Sequence, residues 1–297
     1  MKMIEGGVTA AQGFVAGGIH CGVRKNKSKP DLAMIYSEKP CAAAAVYTQN
    51  LVKGAPILVT QKNIADGAAK AVICNSGNAN TCNADGEEKA QAMCDLTAQA
   101  LGIAPQDVVV ASTGVIGQVL PMEPIQAGIP ELVKALSADG SHAAATAIMT
   151  TDTIAKEAAA EVEIGGKTVK VGGISKGSGM IHPNMATMLC FVTTDCAISP
   201  AMLDKAIHQV TEKTFNMISV DGDTSTNDTF AILANGAAGN PEITAPGPDY
   251  DAFAEALEAV CRQLSKLMAG DGEGATKLLV CRVDGAMALA MARTVSK

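Results

Sequence analysis

Residues 176–189 hold the densest group of side chains that could do chemistry. Lysine, serine, histidine and asparagine lie there among glycine and proline, and the stretch runs into an apolar strand over residues 188–192. Thr187 stands at that junction, directly after the small residue Ala186. A threonine hydroxyl can act as a nucleophile when a base accepts its proton. Threonine at the start of a core strand is more often only a strand-forming residue, so the residues alone leave the role of Thr187 open.

A second candidate nucleophile is Ser175, which lies in a G-x-S-x-G pattern over residues 173–177. In hydrolases this pattern joins a strand to a helix, and a histidine further along the chain completes the triad. Gly177 and Pro183 would break such a helix, and His182 is too close to the serine in sequence. The sequence therefore disfavours a serine hydrolase.

Two glycine-containing loops resemble ion or nucleotide sites but lack the required residues. Residues 221–227 begin like a calcium loop, yet Thr226 and Ile232 occupy the positions that need glycine and glutamate. A structural turn whose side chains cap neighbouring backbone is the favoured interpretation. Residues 270–277 are rich in glycine but do not fit the phosphate-binding pattern. We therefore predict no metal site.

Composition indicates a well-packed globular chain. The 297 residues are 48% hydrophobic and 18% charged, with a net charge of -7. That charge argues against nucleic acid or an anionic membrane as partner, and the basic residues 24–29 are interpreted as a solvated loop without a function. The nine cysteines show no C-x-x-C pair, which favours reduced, mostly buried thiols. With neither a signal-like N-terminus nor a membrane-length apolar run, we expect a cytoplasmic protein.

The elements that must position these residues alternate between strands and helices. Apolar runs predict strands over residues 33–36, 56–59, 71–74, 108–110 and 277–281. Helical periodicity predicts helices over residues 87–101, from Ser199-Pro200 through Phe215, and over 251–268, with an alanine- and methionine-rich helical tail from Gly285. The sequence thus predicts a mixed α/β fold without an obvious linker.

Seven ordered motifs extend the argument over almost the whole chain. They occupy residues 6–22, 75–80, 112–117, 150–153, 176–189, 220–229 and 270–277. In these motifs the chain resembles the ornithine acetyltransferase family, the bifunctional glutamate N-acetyltransferases of arginine biosynthesis. Members of that family usually continue past the position of Lys297, with a C-terminal segment that has no counterpart here.

The resemblance implies a layered α-β-β-α sandwich of the N-terminal-nucleophile kind. It further implies self-cleavage between Ala186 and Thr187, which divides one compact unit into an α chain, residues 1–186, and a β chain, residues 187–297. The freed α-amine of Thr187, with an ordinary pKa of about 7.7 to 8.0, would then act as base for its own hydroxyl. Thr113 and Gly114 are implied as the oxyanion hole.

The same resemblance implies acetyl transfer from N-acetylornithine to glutamate through an acetyl-threonine. Thr153, Lys176, Thr187 and Glu273 are implied as substrate-binding residues. No cofactor is expected, although acetyl-CoA could serve as a co-substrate, and an assembly of α2β2 or larger is implied. Two alternatives stay open: a related self-cleaving amidohydrolase or aminopeptidase, and a folded but inactive fragment that lacks the C-terminal segment.

Overall fold

The computed structural model describes residues 1–183 and 188–296. Its nine strands are β1 (Lys2–Ile4), β2 (Phe14–Ile19), β3 (Leu32–Tyr47), β4 (Ala68–Asn75), β5 (Val108–Ser112), β6 (Lys156–Ile164), β7 (Lys167–Lys176), β8 (Leu189–Thr194) and β9 (Thr229–Ala234). Its seven α-helices are α1 (Ala55–Asn63), α2 (Gly86–Leu101), α3 (Met122–Lys134), α4 (Ser141–Ala147), α5 (Pro200–Lys213), α6 (Pro248–Gly270) and α7 (Leu289–Ser296). Both counts refer to the described residues.

The strands are joined through the long strand β3. Hydrogen-bonded neighbours follow the order β1-β6-β7-β8-β9-β3-β4-β5, and β2 pairs with the first half of β3. The register of β3 against β4 shifts between Tyr36 and Cys41, and only the second half of β3 pairs with β9. This irregularity lets one strand take part in two layers of the sheet.

Three apolar clusters show how the layers stack. The first packs α5 and α6 on one face of β6 to β9, and includes Phe230 and Leu257. The second lies between the two sheet layers, contains Phe191 of β8 and Val72 of β4, and also includes residues of α4. The third packs α1, α2 and α3 on the outer face of β4 and β5. These four layers confirm the predicted α-β-β-α sandwich.

Most predicted elements are present. The predicted strands 33–36, 71–74 and 108–110 lie within β3, β4 and β5, and the predicted helices 87–101 and 251–268 lie within α2 and α6. Ser199 caps α5 as expected, because its Oγ accepts the backbone N–H of Met202 at 3.4 Å. The alanine- and methionine-rich tail contains α7.

Two strand predictions are wrong. Residues 56–59 belong to α1, where Pro56 occupies the first turn and the buried side chains of Ile57 and Thr60 fit a helical spacing. Residues 277–281 form no strand and are exposed, and they pair with no strand in the described part of the chain. A short apolar run cannot by itself distinguish a strand from a helix, nor show whether a pairing partner is present.

The burial of the cysteines and the character of the helices can be compared with the sequence predictions of buried thiols and of no membrane-spanning segment. Six of the nine cysteines are buried, as expected, and burial raises the pKa of several thiols, to about 12 for Cys94. Of the helices described, none combines the length and apolar character needed to cross a membrane.

Candidate active site

A cavity of about 470 Å³ collects most of the residues that the sequence singles out. Its walls come from the ends of β4, β5 and β7 and from four loops, which carry residues 24, 150–151, 225–227 and 273. The lining includes Thr113, Gly114, Lys176 and Glu273, together with Arg24, which the sequence analysis left without a function. A second groove of about 600 Å³, between β1, α5 and α6, is lined by six charged and six uncharged residues and holds none of the expected site residues.

Gly114 lies where β5 ends, pressed against the neighbouring loop. Its φ of +128° favours glycine, and a Cβ atom there would lie 2.6 Å from the carbonyl carbon of Gly77 and 2.7 Å from the backbone nitrogen of Asn78. Within the described residues no acceptor bonds the Gly114 N–H, so this donor is available to a ligand oxygen. The backbone N–H of Thr113 instead donates to the carbonyl of Asn75 at 2.9 Å, which leaves the Thr113 hydroxyl as its free donor.

Two buried asparagines hold this loop in place. The Asn75 carboxamide oxygen accepts the backbone N–H of Gly77 and of Asn78, and its amide donates to Ser112 Oγ at 2.6 Å. Asn227, on the loop before β9, donates to the Ser112 carbonyl at 2.9 Å. These bonds fix Ser112, the residue directly before Thr113 and Gly114, and the loop that Gly114 is pressed against. Asn227 lines the cavity and was not identified from the sequence.

Lys176 is the last residue of β7, and its side chain is almost fully buried. Burial lowers the pKa of its ammonium, and the carboxylates of Asp152 and Asp228 oppose that shift. Asp152 accepts the N–H of Gly177 at 2.7 Å and the Lys156 ammonium at 2.6 Å. Burial would raise the pKa of Asp152, but the charges of Lys176 and Lys156 outweigh it and hold that pKa below its ordinary value.

Glu273 reaches the cavity from the turn after α6. Its backbone N–H donates to the Ser178 carbonyl, and its carboxylate lies over Gly179, where a Cβ atom would come within 2.4 Å of Oε2. The Ser178 hydroxyl in turn bonds the Thr151 hydroxyl at 2.6 Å. Lys176 and Glu273 thus supply one positive and one negative charge to the same cavity.

Thr153 is not among the residues that line the cavity. It is exposed and donates to Asp271, which also accepts the Lys156 ammonium at 2.6 Å. The lining threonines of this loop are Thr150 and Thr151. Thr153 therefore helps to tie the loop to the end of α6, while its neighbours face the cavity.

The residues 184–187, which include Ala186 and Thr187, lie outside the described part of the chain. The residues on either side are described. Lys176 is the register partner of Leu189, and the backbone N–H of Met188 donates to Asp228 Oδ1 at 2.9 Å. The residues that directly follow residue 187 therefore lie beside Lys176.

The structure also tests the interpretations of three local sequence motifs. Ser175 is fully buried within β7, and the described residues 177–183 that follow the strand form no helix, so Ser175 does not have the setting of a nucleophile elbow. The carboxylate of Asp221 accepts the N–H groups of Met180 and Ile181, as expected for a structural turn. The interpretation of residues 24–29 as a solvated loop is wrong for Arg24, whose half-buried guanidinium bonds the carbonyls of Ser76 and Met149.

Comparison with known structures identifies the class of fold. The L-aminopeptidase D-Ala-esterase/amidase of Ochrobactrum anthropi, a variant of the Ntn hydrolase fold, matches 93% of this chain and 90% of its own, with a TM-score of 0.51. The two sequences are 13% identical, so this likeness concerns the fold alone. The expected N-terminal-nucleophile type of fold is confirmed.

Sequence comparison then gives the family. A profile of the ArgJ family matches residues 15–297. The arginine biosynthesis bifunctional protein ArgJ of Symbiobacterium thermophilum is 54% identical over 299 residues, which cover 100% of this chain and 74% of that protein. A crystal structure of ornithine acetyltransferase from Mycobacterium tuberculosis, complexed with ornithine, is 33% identical with a TM-score of 0.55, over 63% of this chain and 98% of that one. The chain belongs to the ArgJ family, which confirms the resemblance and the prediction of an enzyme.

Proposed function

We propose that the chain transfers an acetyl group from N2-acetylornithine to glutamate through an acetyl ester on Thr187. The observation that carries the proposal is the single cavity that joins the free Gly114 N–H to Lys176 and Glu273. An oxyanion donor, a cation and a carboxylate are what acyl transfer between two amino acids needs. Membership of the ArgJ family and the ornithine complex of a relative support this choice of substrates.

In the first half-reaction the Thr187 hydroxyl oxygen attacks the acetyl carbonyl carbon, and its proton passes to the Thr187 α-amine. The Gly114 N–H and the Thr113 hydroxyl donate to the oxyanion that forms. The amide C–N bond then breaks, the proton moves to the departing nitrogen, and ornithine leaves. We assign the substrate α-carboxylate to Lys176 and the ornithine side-chain ammonium to Glu273.

In the second half-reaction the unprotonated α-amine of glutamate attacks the carbonyl carbon of the ester. The same donors bind the oxyanion, the bond from that carbon to the Thr187 oxygen breaks, and the oxygen regains a proton. N-acetylglutamate leaves and the threonine is restored. This cycle requires no metal and no prosthetic group. Acetyl-CoA could take the place of N-acetylornithine only as the donor of the acetyl group.

The α-amine of Thr187 exists only after cleavage of the Ala186–Thr187 bond, so self-cleavage into residues 1–186 and 187–297 is part of the proposal. Asp228 supports the geometry of that step, because it holds the N–H of Met188, the residue that follows Thr187. We further propose an α2β2 or larger assembly that works in the cytoplasm, as the family resemblance implies.

The test measures ornithine, acetate and N-acetylglutamate after mixing the purified protein with N-acetylornithine, with and without glutamate. We expect one equivalent of ornithine without glutamate and many turnovers with it, and neither from the variant Thr187→Ala. Equal turnover into acetate with or without glutamate would instead identify an amidohydrolase. No release of ornithine from a folded protein would identify an inactive chain.

A further inference from the structure

Three charged side chains line the active-site cavity within the described residues: Arg24, Lys176 and Glu273. Two of these lining side chains are cations, one more than the single carboxylate of the donor substrate requires. N-acetylornithine presents one carboxylate and one ammonium, which Lys176 and Glu273 already match. Arg24 is left without a role in the donor half-reaction.

The position of Arg24 is fixed by its own loop. The Asp31 carboxylate accepts three backbone N–H groups around it, from Cys21 at 2.7 Å, from Gly22 at 3.2 Å and from Arg24 itself at 2.8 Å. Asp31 is fully buried. The backbone that carries Arg24 is therefore held by charge-assisted hydrogen bonds rather than left to move with the exposed residues 25–29.

The guanidinium is only partly satisfied. Its Nε donates to the Ser76 carbonyl at 2.8 Å, and Nη2 donates to the Ser76 and Met149 carbonyls. Among the described residues no acceptor bonds Nη1, and no carboxylate forms an ion pair with the group, although the charges of Asp31 and Asp152 act on it from a greater distance. Arg24 thus combines a half-buried, unpaired positive charge with two free N–H donors at the cavity wall, which is the chemistry of a carboxylate site.

We propose that Arg24 recognises the side-chain carboxylate of the acceptor glutamate. This inference rests on the proposed function, because it assigns Arg24, the other cation of the cavity besides Lys176, to the side-chain carboxylate of glutamate, the acceptor substrate. Lys176 binds the α-carboxylate of either amino acid. Arg24 then determines that the acceptor is an acidic amino acid, and it discriminates glutamate from glutamine, which has the same shape without the charge.

The test is equilibrium binding by calorimetry of glutamate and of glutamine to the unmodified protein and to three variants. Arg24→Met removes the charge, Arg24→Lys keeps it on a different group, and Lys25→Met removes a neighbouring exposed charge as the matched control. A charged hydrogen bond of this kind contributes about ten- to a hundredfold in affinity. We expect the unmodified protein and Lys25→Met to prefer glutamate over glutamine by about that factor, Arg24→Lys to keep part of the preference, and Arg24→Met to lose it.

Three results would overturn the inference. The first is an unmodified protein that binds both amino acids equally, a result that needs no variant to fold. The second is an Arg24→Met protein in which both affinities, and therefore the preference for glutamate, are unchanged. The third is an Arg24→Met protein in which both affinities fall equally, since Arg24 would then serve only to clamp the Ser76 and Met149 carbonyls.

Kinetics separate this inference from the proposed function. If acetyl transfer fails while binding still depends on Arg24 and on the side-chain charge, the reaction assignment is wrong and the acidic-ligand site stands. If acetyl transfer occurs, Arg24→Met should raise the KM for glutamate about tenfold or more and the KM for N-acetylornithine by less than about threefold. Equal changes in the two KM values would contradict a role specific to the acceptor.

Discussion

Replacing Gly114 with alanine should separate the chemical step from substrate binding. The new Cβ atom would lie 2.6 Å from the Gly77 carbonyl carbon, whereas ordinary contact begins near 3.4 Å. The two peptides must therefore move apart by roughly 0.8 Å, and a displacement of that size at a reacting group costs about a hundredfold in rate. Loss of one oxyanion donor gives a similar figure, about 10²- to 10³-fold in kcat. We expect a fall of that size in kcat for acetyl transfer.

The matched control is Gly117→Ala in the same loop. Gly117 also has a positive φ, +76°, but a Cβ atom there meets nothing within 4 Å. Alanine at Gly117 should cost about 1 to 2 kcal/mol of stability through backbone strain and leave kcat within about threefold. Steady-state kinetics for both substrates, with thermal unfolding of each variant, make the comparison. A normal kcat for Gly114→Ala, or an equal loss in Gly117→Ala, would refute the assignment of Gly114 to the oxyanion hole.

Three further predictions concern the buried polar groups behind the cavity. Lys156→Met should lower the free energy of unfolding by about 3 to 5 kcal/mol in urea denaturation, because Asp152 and Asp271 lose the cation they share. Both carboxyl groups have a pKa below the ordinary value in the folded chain, despite burial that would raise it. Their contribution to stability is therefore complete above about pH 5, declines as the unfolded carboxyl groups take up protons, and is lost as the pH falls through the folded pKa. Denaturation from about pH 6 to pH 3 should show this decline. Asn227→Ala should cost about 2 kcal/mol and lower kcat, because the Ser112 carbonyl loses its donor, which unfolding and kinetic assays measure.

Each of these predictions has a contrary outcome. The exposed pair of Lys62 and Glu87, 3.3 Å apart, provides the control Lys62→Met, which should change stability by less than about 1 kcal/mol. Equal losses in Lys156→Met and Lys62→Met would contradict a buried network. A free energy of unfolding that stays constant between about pH 5 and pH 3 would contradict the lowered pKa values. Unchanged stability and unchanged kcat in Asn227→Ala would contradict its support of the oxyanion loop.

The secondary structure could be predicted from the sequence where a segment has a clear helical or strand pattern within its own residues. Helices α2, α5 and α6 have long amphipathic patterns or a capping residue, and the apolar runs in β3 to β5 are bounded by turns. The run 56–59 was ambiguous because its strand-forming side chains also satisfy a buried helix face once Pro56 begins the first turn. Strand pairing for residues 277–281 depends on a partner that no local pattern reveals.

The motif resemblance singled out residues that share one cavity, which residue type alone did not indicate, and the roles that it implies for them stay predictions. Gly114, Lys176 and Glu273 line one cavity as the resemblance implied, while the roles assigned to Thr187 and its neighbour stay predictions. Arg24 was missed because it begins a run of basic residues that is otherwise exposed. Its partners Ser76 and Met149 are 52 and 125 positions away in the sequence, so only the folded chain reveals that this one cation turns inward.

The most direct test of the central claim is the intact mass of the purified protein before and after a brief exposure to N-acetylornithine without glutamate. We expect two polypeptides, of which the second begins at Thr187 and gains the mass of one acetyl group, and we expect added glutamate to remove that group. A single uncut chain, or a Thr187 fragment that never becomes acetylated while ornithine is released, would contradict that claim.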